Sequence, residues 1–141
     1  MAFNIRVYGI LTNENDEVLL SDERRFGQEF TKFPGGGLEL GEGIKDCLIR
    51  EFKEELDLDI VVKELIYLTD FYQKSAFGLN DQIISVYYSV SAQELDKIIT
   101  KQKPFEFKGD EIESHRWKKI SELSEADVTF PIDKLVVKLL N

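Results

Sequence analysis

Three carboxylates lie close together in the segment GGGLELGEGIKDCLIREFKEELDL, residues 35–58. Glu51, Glu54 and Glu55 have the spacing i, i+3 and i+4, which places three like charges on one small area of a helix. Because the chain already carries a net charge of −9, their repulsion is unfavourable unless cations bind them. Hard divalent ions such as Mg²⁺ prefer oxygen ligands of this kind and leave positions for phosphate oxygens. The spacing therefore predicts a divalent-metal site that holds phosphate groups.

A helix over residues 43–56 must position these carboxylates. At about 100° per residue, Glu51 and Glu55 project from the edge of the buried face rather than from the opposite side. The alternative is a solvated charged face with pairs such as Arg50–Glu54. The position of the carboxylates beside the apolar stripe favours the metal site. That stripe comprises Ile44, Leu48, Phe52 and Leu56.

The glycines that precede this helix, in PGGG at residues 34–37, are a second feature with chemical meaning. Glycine allows positive φ angles and close approach of the backbone to a ligand. We therefore expect a loop here rather than a regular strand, and an ordinary tight turn is the alternative. Because the acidic helix follows at once, we interpret the loop as one that directs backbone groups at the same metal–phosphate centre.

The remaining elements mix strands with helices. A capping-box spacing between Ser91 and Glu94 predicts a helix over residues 92–100, and Pro131 begins a helix over 131–140. Turns are predicted at 13–16 and 78–81. This alternation indicates an α/β sandwich rather than an all-β or all-α domain. Strands are predicted over residues 3–12, 17–23, 29–33, 59–73, 82–90 and 111–117.

The composition limits the class of protein. A chain of 141 residues with 43% hydrophobic and 32% charged residues predicts one domain over residues 1–141, without a membrane-spanning segment. The N-terminus lacks the pattern of a signal peptide. With Cys47 as the one cysteine, we expect a reducing, cytoplasmic location. The acidic balance argues against binding of a nucleic-acid polymer, and a single histidine and a single cysteine argue against a structural zinc site.

The acidic helix and the glycines together resemble the Nudix box, G-x5-E-x7-R-E-U-x-E-E-x-G-U, where U is a bulky apolar residue. The resemblance covers residues 36–58, beginning at Gly36. Asp57 stands where the family has glycine, and aspartate tolerates unusual backbone angles better than most residues. The other matching positions are Glu42, Arg50, Glu51, Phe52, Glu54, Glu55 and Leu58.

The resemblance implies a Nudix hydrolase with an α/β/α sandwich around a mixed β-sheet. Its reaction would be metal-dependent hydrolysis of the pyrophosphate linkage in a nucleoside diphosphate linked to another group X. Arg50 would orient a carboxylate, and Glu42 would support the site or bind an outer metal ion. The implied ligands of Mg²⁺ or Mn²⁺ are Glu51, Glu54, Glu55 and the carbonyl group of Gly35.

The group that activates water stays open between several carboxylates. Glu51 or Glu54 is positioned to accept a proton from water. Some Nudix enzymes use a glutamate from a distant loop, for which Glu111 and Glu113 are candidates, and we favour Glu113. We interpret the nearby His115 as a residue of the surface or the outer part of the site.

Several residues outside the box have two interpretations. Lys32, like Arg24 and Arg25, either contacts substrate phosphates or is a solvated loop charge, and the solvated interpretation is favoured. Phe77, like Phe71 and Tyr72, either stacks on a nucleobase or pairs with aromatic residues across strands.

A different class of function is a Nudix-like domain that senses a nucleotide derivative without turnover. Such domains usually lose box carboxylates, whereas this chain retains them. The expected partner is a small nucleoside diphosphate derivative. The substrate among oxidised nucleotides, nucleotide sugars and dinucleoside polyphosphates stays open. A homodimer is compatible with the family, whose members are often dimers.

Overall fold

In the described part of a computed structural model, residues 1–77 and 80–141, the chain forms seven β-strands and two α-helices. Short 3₁₀ turns connect some of them. Their bounds are β1 Ala2–Leu11, β2 Glu17–Arg25, β3 Gln28–Lys32, β4 Gly35–Gly37, α1 Ile44–Leu56, β5 Val61–Leu68, β6 Asp81–Ser91, β7 Glu113–Lys119 and α2 Pro131–Leu140.

The strands form two sheets. The larger has the order β4-β1-β6-β5, and it is mixed because β1 pairs in parallel with β6 while the other pairs are antiparallel. The smaller sheet, in the order β3-β2-β7, is antiparallel throughout. The predicted α/β class and mixed sheet are confirmed, and the strands divide between two sheets.

Alternation along β1 separates two hydrophobic clusters, one for each helix. Val7 and Leu11 belong to the cluster that contains the buried residues of α1. Tyr8 and Ile10 point the other way, into the cluster that contains the buried residues of α2. Successive side chains of a strand point to opposite faces, so β1 has a helix on each side. The expected α/β/α arrangement follows from this alternation.

The glycines at 35–37 form a strand, so the prediction of a loop was wrong. They pair antiparallel with β1, with Gly35 opposite Tyr8 and Gly37 opposite Arg6. Gly35 has a φ of +147°, and a Cβ atom there would lie 2.0 Å from the carbonyl oxygen of Val7. The absence of side chains lets β4 approach β1 this closely and form the edge of the sheet.

Helix α1 begins and ends close to the predicted bounds. Its C-cap, Asp57, has a φ of 51° in the left-handed region. The Asp57 N–H donates to the carbonyl group of Lys53 at 3.0 Å, and the Leu58 N–H donates to that of Phe52 at 3.4 Å. Asp57 therefore takes the conformation in which helices commonly end at glycine. Within the described ranges no helix has both the length and the apolar character to cross a membrane.

Two predicted elements outside the box are shorter than expected. The helix predicted over 92–100 is only a 3₁₀ turn at Leu95–Lys97, and no side chain caps it. Ile98 is buried in the α1 cluster, beside which Leu95 packs, so tertiary packing holds this segment in an irregular conformation. The strand predicted over 59–73 ends at Leu68. Within the predicted turn at 78–81, residues 78 and 79 lie outside the described part of the chain.

Candidate active site

A cavity of about 430 Å³ opens beside β4 and the carboxylate edge of α1. Glu51 and Glu55 line it together with Gly35 and Gly36. A Cβ atom on Gly36 would lie 2.5 Å from the carboxylate carbon of Glu51. The missing side chain therefore allows this carboxylate to lie directly against the backbone of β4.

The guanidinium group of Arg50 connects the acidic groups of the box. It donates to both carboxylate oxygens of Glu42, at 2.9 and 2.7 Å, and these bonds lower the pKa of Glu42 to about 2. Its Nη1 donates to Glu51 at 3.1 Å and to Glu54 at 3.2 Å, and its Nη2 to the carbonyl group of Gly37 at 3.1 Å. Charge-assisted bonds of this kind hold the carboxylates in a defined geometry.

Glu55 differs from the other box glutamates because its carboxylate is largely removed from solvent. Its Oε2 atom is buried and has no hydrogen-bond partner among the described residues. Burial, together with the nearby charges of Glu113 and Glu51, raises the pKa of Glu55 well above its ordinary value. An unpartnered buried carboxylate oxygen is unfavourable by itself and is typical of a group that binds a cation.

Glu54 lies at the margin of this arrangement. Its side chain is 59% exposed, and it lines a second cavity rather than the one with Glu51. Within residues 1–77 and 80–141, the three box carboxylates do not all lie within 4.8 Å of one another. The structure brings Glu51, Glu55 and Gly35 to one cavity and leaves Glu54 outside it, in the second cavity that Glu55 also lines.

Lys32 is a buried cation at the site, so its interpretation as a solvated loop charge was wrong. Its Nζ atom forms an ion pair with Glu23 at 2.9 Å and donates to the carbonyl oxygen of Gly35 at 3.2 Å. Burial would lower the pKa of Lys32, but the carboxylates of Glu23 and Glu55 outweigh it and raise the pKa. Alternation along β3 places Lys32 on the same face as the buried Phe30, which is the available sequence signal.

Glu113 and His115 come from β7 and lie beside Glu55. One ligand atom from each of the three residues falls within 4.8 Å of the others. Burial raises the pKa of Glu113 and lowers that of His115 to about 4. His115 is buried, so the surface interpretation is wrong and the alternative, a residue of the outer part of the site, remains. Glu111, the other candidate, precedes β7 and pairs with Lys101 at 3.4 Å.

Four phenylalanines also line the cavity. Phe77 packs against Phe26, Phe30 and Phe130, with ring centroids 5.3–5.6 Å apart. The other three phenylalanines were not identified from the sequence, because they are brought to Phe77 only by tertiary contacts. Phe71 and Tyr72, the other predicted stacking residues, are exposed and do not line the cavity.

The cavity offers oxygen donors of the kind that bind a hard divalent cation. Glu51, Glu55 and Gly35 line it, whereas Glu54 lines the second cavity, and the Gly35 carbonyl oxygen accepts a hydrogen bond from Lys32. Mg²⁺ and Mn²⁺ accept such ligands. The unpartnered Oε2 atom of Glu55 is the observation that favours a bound cation here.

Comparison with known proteins finds several similar sequences. The Nudix hydrolase YvcI of Bacillus subtilis is 33% identical over 85 residues, which cover 60% of this chain and 50% of that protein. The RNA pyrophosphohydrolase of Shewanella frigidimarina is 39% identical over 57 residues, which cover 40% of this chain and 32% of that protein. The chain thus matches half or less of the length of each.

The fold is also similar to that of a NUDIX hydrolase from Nitrosomonas europaea. The two structures superpose with a TM-score of 0.71 over 97% of this chain and 87% of the other, at 20% identity. The sequence profile described as the NUDIX domain matches residues 2–139. The box, the fold and this match agree, and the chain belongs to the Nudix family.

Proposed function

We propose that this chain is a pyrophosphohydrolase that hydrolyses the pyrophosphate linkage of a nucleoside diphosphate bound to another group X, using a divalent metal ion. One observation supports this most directly. A single cavity is lined by carboxylates, a buried lysine and four phenylalanines. Such a cavity suits a ligand with an anionic part and a flat apolar part.

The metal ion, Mg²⁺ or Mn²⁺, would be held by Glu51, Glu54, Glu55 and the carbonyl group of Gly35. When bound, it would neutralise the diphosphate and the developing charge on the leaving oxygen. Glu54, whose side chain is exposed, would join the others by a change of side-chain conformation. Arg50 would orient Glu51 and Glu54 through its two hydrogen bonds to them.

Glu51 is the group we assign as proton acceptor. It lines the cavity, whereas Glu54 lies outside it. In this step a water oxygen attacks phosphorus, the bond from phosphorus to the bridging oxygen breaks, and a water proton passes to Glu51. Glu42 would act through Arg50, since it accepts two of the hydrogen bonds that fix the guanidinium group.

Lys32 and Arg25 are the cations we assign to the substrate phosphates. Both line the cavity, and both contact Glu23, at 2.9 and 2.8 Å. Glu23 would hold them in place, and a diphosphate would share their charge. This assignment replaces the solvated interpretation of Lys32.

We assign the nucleoside part of the substrate to the four phenylalanines of the cavity. A volume of about 430 Å³ falls within the range of roughly 300–1,000 Å³ of small-molecule sites. Aromatic side chains bind a nucleobase by stacking, in a way that tolerates different bases. One of the relatives is an RNA pyrophosphohydrolase, so a 5′-phosphorylated RNA end belongs among the compounds to test.

The cellular setting that we propose follows from the sequence and the family. We propose a cytoplasmic enzyme with one Nudix domain over residues 1–141, which works as a monomer or a homodimer. The buried Cys47 supports a thiol that stays reduced. Size-exclusion chromatography with light scattering would give the oligomeric state.

The experiment that tests this function is phosphate release, with added phosphatase where needed, from nucleoside triphosphates, ADP-ribose, nucleotide sugars, dinucleoside polyphosphates and 5′-triphosphorylated RNA. Each compound is tested with Mg²⁺, with Mn²⁺ and with EDTA. We expect metal-dependent turnover of at least one class. We expect Glu51→Gln to lower kcat by about 10²-fold or more, as the loss of a general base does.

The matched control is Glu64→Gln, which makes the same change on an exposed residue of β5. Its activity should equal that of the unchanged protein. If no compound is turned over but one binds tightly with metal, the sensor function replaces the hydrolase. If Glu51→Gln keeps full activity, the assignment of Glu51 is wrong.

A further inference from the structure

A second cavity, of about 410 Å³, lies on the other side of Glu55. The end of α1 and the beginning of β7 form its walls, and Glu55 lines both cavities. Five acidic side chains and two lysines line the second cavity. This excess of negative charge favours cations over anions.

Two buried polar atoms on side chains that line this cavity have no hydrogen-bond partner among the described residues. They are Nε2 of His115 and Oε2 of Glu55, and both are buried. The whole His115 residue is only 6% exposed. A buried polar group without a partner is unfavourable by about 1–3 kcal/mol. A ligand that binds both atoms would remove this cost.

The geometry around these atoms suits a single ion. One ligand atom from each of Glu55, Glu113 and His115 lies within 4.8 Å of the other two. His115 Nε2 is 3.9 Å from Glu113 Oε1, which is too long for a hydrogen bond. An ion bound between the three side chains would therefore contact polar groups that form no hydrogen bonds with one another.

We propose that Glu55, Glu113 and His115 form a second metal site, which binds a divalent transition-metal ion such as Mn²⁺, Co²⁺ or Zn²⁺. Imidazole nitrogen is a good ligand for these ions, whereas Mg²⁺ prefers oxygen ligands alone. The site is thus chemically different from the set of oxygen donors at Glu51. It does not depend on the proposed hydrolysis, although Glu55 would belong to both metal sites.

The test uses untagged protein, Mn²⁺ as the probe and a large excess of Mg²⁺ to fill sites that have only oxygen ligands. The chain has one histidine, so any imidazole nitrogen bound to Mn²⁺ must come from His115. Pulsed EPR should show nitrogen coupling to the bound Mn²⁺. Bound Mn²⁺ without nitrogen coupling, or no bound Mn²⁺ at all, would overturn the proposal.

Variants give a second measurement by isothermal titration calorimetry of Mn²⁺ under the same conditions. We expect His115→Gln and Glu113→Gln to weaken binding at least about tenfold, since even partners outside the ligand shell contribute that much. Glu111→Gln removes the same charge from the rim of the cavity and should change the affinity far less. Equal losses in Glu111→Gln and Glu113→Gln would show a general charge effect and overturn the site.

Thermal unfolding of each variant separates loss of the site from loss of the fold. If His115→Gln does not fold, the EPR measurement on the unchanged protein decides the question by itself. Hydrolysis in Mg²⁺ is measured separately. Nitrogen coupling without hydrolysis would therefore support the second metal site and contradict the proposed function. Hydrolysis without nitrogen coupling would support the proposed function and overturn only the second metal site.

Discussion

Two neighbouring glycines serve different purposes at the site. Gly35 lies against backbone, because a Cβ atom would meet the Val7 carbonyl oxygen at 2.0 Å. Gly36 lies against a side chain, because a Cβ atom would meet the Glu51 carboxylate at 2.5 Å. A backbone atom inside a sheet cannot move away, whereas the end of a glutamate side chain can. The first glycine therefore matters for stability and the second for the position of the proposed proton acceptor.

We predict that the two alanine substitutions affect different properties, activity for Gly36→Ala and stability for Gly35→Ala. Gly36→Ala should lower kcat/KM about 10–100-fold, because it displaces the Glu51 carboxylate by roughly 1 Å, and change the free energy of unfolding by less than about 1 kcal/mol. Gly35→Ala should lower the free energy of unfolding by about 2–4 kcal/mol, because it adds a backbone clash to an unfavourable φ angle.

Urea unfolding and steady-state kinetics on both variants check this pair. Full activity in Gly36→Ala would mean that Glu51 does not need its place against β4. Unchanged stability in Gly35→Ala would mean that β4 is not held as closely to β1 as its pairing indicates.

At the scale of elements, the end of α1 shows how the chain accommodates its departure from the family box. Asp57 adopts a φ of 51°, which costs a residue with a Cβ atom more than it costs glycine. Its carboxylate forms ion pairs with Lys53 at 3.2 Å and Lys97 at 3.9 Å, which lower its pKa. Because the side chain is exposed, these pairs contribute little to stability.

We therefore predict that Asp57→Gly raises the free energy of unfolding by about 0.5–1 kcal/mol. Relief of the left-handed backbone should outweigh both the larger entropy of glycine in the unfolded chain and the loss of the exposed ion pairs. Urea unfolding measures the difference. The matched control is Asp59→Gly, which also loses an ion pair with Lys53 but has no positive φ, and it should not gain stability. A loss of stability in Asp57→Gly would contradict the argument.

At the scale of the whole molecule, Asp133 joins the two sides of one core. It lies fully buried on α2 and accepts a hydrogen bond from the hydroxyl group of Tyr87 on β6. Burial raises the pKa of Asp133 from 3.8 to about 6. The folded protein therefore holds this proton more tightly than the unfolded chain does.

This shift fixes the direction of one pH effect on stability. Between pH 3.8 and about 6 the folded state binds more protons at Asp133 than the unfolded state does, so the contribution of Asp133 to stability falls as the pH rises. A shift from 3.8 to about 6 corresponds to at most about 3 kcal/mol. Relative to Asp133→Asn, the unchanged protein should lose stability by up to that amount from pH 4 to pH 7.

Urea unfolding of both proteins at several pH values measures this difference. Glu125→Gln, on an exposed residue near the start of α2, controls for the general loss of a negative charge and should keep the pH dependence of the unchanged protein. The same pH dependence in Asp133→Asn would mean that Asp133 is not the group responsible.

Local periodicity was enough to identify α1 and its carboxylates. The helical repeat places Leu48 and Phe52 inside and Glu51 at the edge, and each of these positions depends on residues only three or four apart. Asp57 suits the end of α1 for an equally local reason, because aspartate tolerates a positive φ angle better than most residues do. The α/β class also follows from alternating elements whose period is visible in the sequence.

Tertiary structure alone decided the rest of the site. The pairing of β4 with β1 and the approach of His115 to Glu55 join segments that are far apart in the chain, and Lys32 meets Glu23 across two paired strands. No local period encodes such contacts, because they depend on which strands become neighbours. The sequence therefore determined the acidic helix and the family, whereas the fold decided which charges and aromatic rings surround it.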